Sequence, residues 1–523
     1  MDFLQILFST FYAFFFFFLL LLHVVKPSFK KSPQTCLPPG PPWKLPLLGH
    51  MHYLLGPLPH RSFRDLANKF GLPVMYLKLG ETCNVIISSP EAAKEVMKTH
   101  DAVFSNRPYL FAYDVLSYNA TNIAFSSSGS YWSMLRKICS SELLSAQRVQ
   151  SFRFIREEEV LEVVKTISKN EGSEVNLSKM IMSMTNAIVA RAAFGGRSRD
   201  QEAFLRCAKK ALKLAGGFYI SDFFPSMKLL QDISGMKATL ERLHKEIDRI
   251  LDNIIDDHKK KKKNGTCGDK VEEDLVDVFL KIQEQNDLEV PISVDNIKAT
   301  ILDIFIGGTE TSSTTVVWAM SEMLKQPKIL EKAQAELRRI FKDKSYVDEA
   351  ELHQLEYLQC VVKETLRLHP PAPLLLPRKN KETCEINGYK IPANTRILVN
   401  AWAIGRDPKY WSEAEEFKPE RFMDGSDYYN FRGTNFEYIP FGSGRRICPG
   451  IAFATPNVGL PLASLLYHFD WKLPNGMRRE EFDMSETFVG AVRKKLDLCL
   501  IPVYSHPNYH YNYVLLLNQL IIL

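Results

Sequence analysis

The sequence predicts a mainly α-helical fold with a small β region, preceded by one membrane-spanning helix. Three observations carry this. Apolar residues recur at helical spacing through most of the chain, as at Leu240, Leu243, Ile247, Ile250, Leu251, Ile254 and Ile255. Strand-like runs are few and sit beside turn signals. One is Val74–Ser89, rich in Val and Ile with Gly80 near its middle; the other centres on Asn387-Gly388, a type I′ hairpin signal, with Thr395–Asn400 read as continuing that second sheet. The chain also opens on an apolar run long enough to cross a bilayer, which takes about 20 residues.

Composition bounds the rest. The 523 residues are 46% hydrophobic and 24% charged, ordinary for a globular protein with a core large enough to enclose a cofactor. With 66 basic and 60 acidic residues, the net charge of +6 is too mild for a nucleic-acid partner. Nine cysteines are scattered without a C-x-x-C pair, which suits a reducing compartment rather than a disulfide framework.

Phe3 to Val25 contains no Lys, Arg, Asp or Glu. A cleaved signal peptide would start basic and have a shorter apolar core. Here Asp2 precedes the run and Lys26, Lys30 and Lys31 follow it, which keeps the remainder cytosolic. Residues 1–25 are therefore expected to be an anchor. Residues 26–43 form a basic, proline-rich linker ending in Leu37-Pro-Pro-Gly-Pro-Pro-Trp43, either a plain connector or a stiff spacer. Residues 44–505 are the expected catalytic domain, and 506–523 an apolar tail whose run is too short to span a bilayer. The Lys259–Lys263 run ends a helix and reads as solvated, more than as a localisation or membrane patch. Val294–Gln326 reads as one helix of about 50 Å, with Ser293 as its N-cap and Pro327 as its stop. Gly307-Gly-Thr-Glu-Thr-Ser312 lies in its middle. Glycines there cost about 1 kcal/mol each against alanine. They need a reason, either a close helix crossing or a local kink that admits a small ligand.

Phe441-Gly-Ser-Gly-Arg-Arg-Ile-Cys-Pro-Gly450 places a cysteine in a glycine-rich turn, where Arg445 and Arg446 are expected to lower its pKa. A lone thiolate cannot build a zinc or iron–sulfur site, but it can be the single axial ligand of a haem iron. The bland alternative is a buried structural cysteine. The spacing of Phe441, Gly444, Arg446, Cys448 and Gly450 decides between them. It matches F-x-x-G-x-R-x-C-x-G, the haem-ligand loop of the cytochrome P-450 superfamily. From Pro38 to about Pro502 the chain resembles that superfamily, in particular plant microsomal members that oxidise terpenoids, alkaloids and phenolics.

The resemblance implies a cytochrome P-450 fold holding haem b (iron protoporphyrin IX). It makes Cys448 the metal ligand, sets Phe441 beside the sulfur, and assigns Arg446, Trp132, Arg136 and Arg378 to the haem propionates. Gly307–Ser312 matches [AG]-G-x-[DE]-T-[TS], in which Thr311 hydrogen-bonds the bound dioxygen and Glu310 relays protons. Glu364, Arg367 and Arg421 match a structural triad. The pocket residues it suggests are Phe305, Ile306, Ala372, Leu374, Leu376, Phe488 and Val489, within stretches that also include Arg107–Phe125. They are mostly apolar and favour a lipophilic substrate. The implied activity is hydroxylation by a monooxygenase that takes electrons from NADPH–cytochrome P-450 reductase, with cytochrome b5 as a second donor and Lys137 on the docking side. The implied location is the endoplasmic reticulum membrane, single-pass, with the catalytic domain cytosolic. The alternatives are a haem-thiolate isomerase or lyase, against which the Glu310-Thr311 pair argues, and a non-catalytic membrane-bound haem protein. One departure stands out. Pro456 falls past the first turn of the helix after Gly450, where proline should cost about 3 kcal/mol or kink the helix and so weaken haem retention.

Overall fold

The long central helix forms as its sequence dictates, over Val294–Lys325. Ser293 Oγ accepts the Asn296 N–H and the Asn296 side chain accepts the Ser293 N–H, a closed capping box. Pro327 then opens the next helix at its first turn, where its missing N–H costs nothing. From Ser312 to Leu324 every residue is buried, so the helix shows no amphipathic stripe and has neighbours all round. Leu177–Phe194 crosses it on one side and Ile451–His468 packs on another; together they build the main core. The computed structural model describes residues 37–505, apart from 55, 197–200, 217–218, 228, 264–272, 286–288, 343 and 424–428. The expected anchor 1–25, the basic part of the linker and the tail 506–523 lie outside the described residues. No described helix is long and apolar enough to cross a membrane.

The β region is small and stands beside the helices. Val74–Leu79 and Thr82–Ile87 form the expected hairpin, pairing Val74 with Ile87. Asn387 and Gly388 both have positive φ, 51° and 78°, which the type I′ turn between Cys384–Ile386 and Tyr389–Ile391 requires. Thr395–Asn400 does not continue that hairpin. Its strand, Arg396–Val399, runs parallel to Thr82–Ile87 in the first sheet, with Arg378–Lys379 on its other side. All four of its residues are buried, so a sheet interior suits it better than the half-exposed hairpin.

The proline-rich stretch is more than a connector. The Pro39 carbonyl accepts the Tyr76 N–H at 2.9 Å, and a side chain at Gly40 would collide with the Tyr76 carbonyl. Lys259–Lys262 are exposed at the end of the Met236–Lys263 helix, as a solvated run should be.

The helix after the cysteine loop runs unbroken over Ile451–His468, through Pro456 and a second proline, Pro461. Neither proline ends the helix. What remains is the loss of the N–H that would reach the Ala452 carbonyl. Restoring that hydrogen bond is worth about 1 kcal/mol. Removing proline also frees the unfolded chain, at a cost of about 0.4–1 kcal/mol. Pro456→Ala is therefore expected to leave the thermal midpoint and the haem-to-protein ratio close to the parent's. A clear rise in either would reveal strain.

Candidate active site

One internal cavity, of about 390 Å³, lies between the central helix, the loop that carries Cys448 and the 107–125 segment. The cysteine loop owes its shape to two features. The Cys448 N–H returns to the Phe441 carbonyl at 3.0 Å and closes the turn. Gly444 has φ +70°, and a Cβ there would sit 2.5 Å from Asp101 Oδ2 and nearer still to the Met97 carbonyl. No other residue fits. Cys448 reaches the cavity wall, as do Phe441, Arg446 and Gly450. Burial raises the thiol pKa, opposed by the Gly450 amide and by Arg136. The expected influence of Arg445 and Arg446 is not what acts. Arg445 is exposed, and the Arg446 guanidinium is spent on the carbonyls of Ser105 (2.9 Å), Ser126 (2.6 Å) and Ile123 (3.3 Å).

Four guanidiniums line the cavity: Arg107, Arg136, Arg378 and Arg446. Trp132 and Arg136 share a face of the Ser130–Ile138 helix. Trp132 is buried, its N–H donates to the Ile123 carbonyl at 3.1 Å, and the Arg446 guanidinium stacks 3.9 Å from its ring centre. Arg378 pairs with Asp101 at 2.8 Å and donates to the Ser443 carbonyl at 2.8 Å. Arg107 escaped the sequence reading as an individual residue. It is 6% exposed and bonds the carbonyls of Ala124, Leu376 and Pro377. Burial lowers the pKa of all four, and for Arg107 and Arg446 the neighbouring arginines add to it; Arg446 falls to about 9. Such a cluster needs anions. The nearby carboxylates are Asp101 and Asp303, and burial pushes Asp303 up to about 7.

The paired glycines have two separate reasons. A Cβ on Gly308 would lie 3.0 Å from Val189 Cγ2 and 3.6 Å from Phe453 Cε1, so it marks a close helix crossing. A Cβ on Gly307 would meet nothing within 4 Å; that face opens on the cavity. One turn on, Thr311 donates to the Gly307 carbonyl at 2.6 Å, a back-bond that turns its hydroxyl towards the space beside Gly307. Glu310 is 6% exposed, and its Oε1 has no hydrogen-bond partner among the described residues. Burial raises its pKa, opposed by Arg493, 3.7 Å away, and by Lys209.

Four suggested pocket residues do not line the cavity. Phe305 is 1% exposed and packs on Phe194 and Phe204. The helix lines the cavity with residues 302–304, 306–308, 310–312 and 315, and residue 305 points away from it into the core. Leu374 packs with Phe63, Met75 and Leu77 against the sheet, because the backbone turns at Leu375, whose φ is +51°. Phe488 and Val489 give way to Gly490 and Ala491 at the tip of the Glu486–Lys494 hairpin. Ile306, Ala372 and Leu376 do line the wall. Ala211, Leu212 and Ala215, on and just after the Gln201–Leu214 helix, also line it, unforeseen.

The triad is assembled outside the cavity. Arg367 is bidentate to Glu364 at 2.6 and 2.8 Å, and Arg421 Nε reaches Glu364 at 3.0 Å.

The sequence profile described as Cytochrome P450 matches residues 38–500. The chain belongs to the cytochrome P450 family, whose cofactor is haem. More particularly, it is 55% identical over 490 residues to cytochrome P450 71D10 of Glycine max, covering 92% of this chain and 94% of that protein. It is 50% identical over 476 residues to premnaspirodiene oxygenase of Hyoscyamus muticus, covering 90% and 93%. A zebrafish cytochrome P450 solved with abiraterone superposes with a TM-score of 0.73 at 22% identity, over 86% of this chain and all of that one, and shows the fold. The residues present fit haem. Four inward guanidiniums face few carboxylates, so two propionates would balance their charge, and Cys448 offers the one sulfur on the wall.

Proposed function

We propose that the chain is a haem-thiolate monooxygenase that hydroxylates a lipophilic plant specialised metabolite such as a terpenoid, with electrons from NADPH–cytochrome P-450 reductase. The observation that carries this reading is one cavity that gathers Cys448, four guanidiniums and the Glu310–Thr311 pair within largely apolar walls. The relative named as an oxygenase of premnaspirodiene supports the reaction type. Bound there, haem supplies the oxygen activation, favoured by a thiolate ligand.

The protein's own residues do the rest. The Gly450 amide and Arg136 stabilise charge on Cys448 Sγ against the cost of burial. Arg446, Arg378 and Arg136, joined by Arg107, hold carboxylates at the cavity edge, and Trp132, whose N–H is taken by the Ile123 carbonyl, steadies the Arg446 guanidinium from below. Burial raises the pKa of Glu310, which favours its use as a proton donor. Thr311, the next residue, lines the cavity and presents its hydroxyl there for carrying a proton inward once it leaves the Gly307 carbonyl. The apolar wall excludes water from side reactions. Thr311→Ala should keep haem but lower product formed per NADPH consumed by about 10- to 100-fold, at or below the lower end of what a positioned proton-transfer group supplies. An unchanged ratio would remove both residues from the mechanism.

The wider reading keeps residues 1–25 as the anchor, 26–43 as the linker and 44–505 as a cytosolic catalytic domain. Exposed apolar residues support a membrane-facing side. Trp43 and Leu47 are 74% and 80% exposed, and Leu229 and Ile233 are 67% and 74% exposed. Their two segments flank one turn, where Gly80 N–H bonds the Leu48 carbonyl and Glu81 N–H the Phe223 carbonyl. The sequon Asn119-Ala-Thr121 is exposed and should carry no sugar when the chain is made in microsomes. A mass shift on glycosidase treatment would place the domain in the lumen. A substrate panel assayed with reductase and NADPH tests the activity; product formed without either would favour an isomerase or lyase.

A further inference from the structure

Among the apolar groups of the cavity wall, one corner is polar in a way that the proposed mechanism does not use. Tyr113, half-buried on the 107–125 segment, stacks its ring on Phe125 with centroids 3.5 Å apart. Its hydroxyl has no hydrogen-bond partner among the described residues, although the side chain lines the cavity. Packing alone would be served equally by phenylalanine. Across from it, Asp303 projects from the central helix one turn before Gly307 and also lines the cavity. Its carboxylate accepts the Asn122 amide at 2.6 Å and the Ala124 N–H at 2.9 Å. Those bonds leave each oxygen a further lone pair. No cation among the described residues is bonded to it, because the nearby Arg107 gives its Nε and Nη1 hydrogens to the carbonyls of Ala124, Leu376 and Pro377. Burial raises the pKa of both Asp303 and the Tyr113 phenol, and the Asp303 charge adds to the second shift.

We propose that Tyr113 and Asp303 form a recognition point for one hydrogen-bond-donating substituent, a hydroxyl or an amine, on an otherwise apolar substrate. The substrate is then an already functionalised skeleton, not a bare hydrocarbon. The group donates to Asp303 and accepts from or donates to the phenol, and this fixes which carbon faces Cys448 and Thr311. The proposal rests on the monooxygenase reading, but its test does not need turnover.

The experiment is optical titration of the haem-loaded protein with three matched sets of probes, on bornane, drimane and abietane skeletons, each as hydrocarbon, alcohol and primary amine. In at least one set the alcohol or amine should bind about 10-fold or more tightly than the hydrocarbon, the range of a buried hydrogen bond to a charged group. Tyr113→Phe should erase most of that preference while leaving the thermal midpoint and the carbon monoxide spectrum unchanged, since the hydroxyl holds nothing in the protein. Asp303→Asn separates the two donors: amine preference should collapse, whereas alcohol preference should fall only a few-fold. Hydrocarbons binding as tightly as their polar partners in every set, or no probe binding at all, would overturn the proposal. So would a Tyr113→Phe variant that keeps the full preference. A uniform loss for all probes in Asp303→Asn would make that residue a strut for the 122–124 loop instead. An intact carbon monoxide spectrum in these variants keeps the parent reading separate from any such failure.

Discussion

Cys448→Ser is expected to abolish the red-shifted Soret band of the reduced carbon monoxide complex, and turnover with it. Cys448 is the one sulfur on the cavity wall, and serine oxygen neither ionises near neutral pH nor donates electron density as a thiolate does. The substitution removes little volume and leaves in place the Phe441 carbonyl bond that closes the loop. The four guanidiniums are untouched, so haem binding and ligation can be read separately: pigment content by haem extraction, ligation by the band. A variant that keeps the thiolate-type band would sink the assignment of Cys448 and the function built on it.

Glu364→Gln should be the most damaging change away from the cavity. Glu364 and Arg367 are fully buried, and Glu364 also accepts from Arg421 and from the Lys418 N–H at 2.7 Å. Arg367 in turn bonds the carbonyls of Gly405, Ala414 and Glu416. Neutralising that carboxylate leaves the Arg367 guanidinium without its ion-pair partner in a medium that cannot solvate it. Breaking such a buried pair costs about 3–5 kcal/mol. Chemical unfolding of the holoprotein measures it, and a loss under about 1 kcal/mol, the range of an exposed pair, would show that the triad does not hold the structure. The segment that the triad fixes precedes the cysteine loop in the chain, so lower haem retention should accompany the loss.

What was legible in the sequence is what short-range physics determines. Ser293 and Pro327 bounded the central helix, Asn387-Gly388 specified its turn, and the loop around Cys448 carried its own spacing. What escaped depends on partners distant in the chain. Arg396–Val399 pairs with Thr82–Ile87, some 300 positions earlier, and nothing local distinguishes that from pairing with the hairpin it follows. Phe305 and Ile306 are equally apolar, and only the packing of Phe194 and Phe204 decides which one faces the core. Arg107 resembled any loop arginine until the fold enclosed it. Its one signal in sequence was a charge set among Pro108, Tyr109, Leu110 and Phe111, with no acid near enough to pair.

The two glycines of the central helix differ in how far they can change. At residue 308 an added methyl would press on Val189 of the neighbouring helix at 3.0 Å, so that side chain would have to give way. At residue 307 an added methyl meets nothing, and alanine would strengthen the helix by about 1 kcal/mol. Gly307 thus forgoes stability for space, a trade-off between stability and function. The cavity can be narrowed there without loss of fold, so that position sets the space above the cavity at little structural cost.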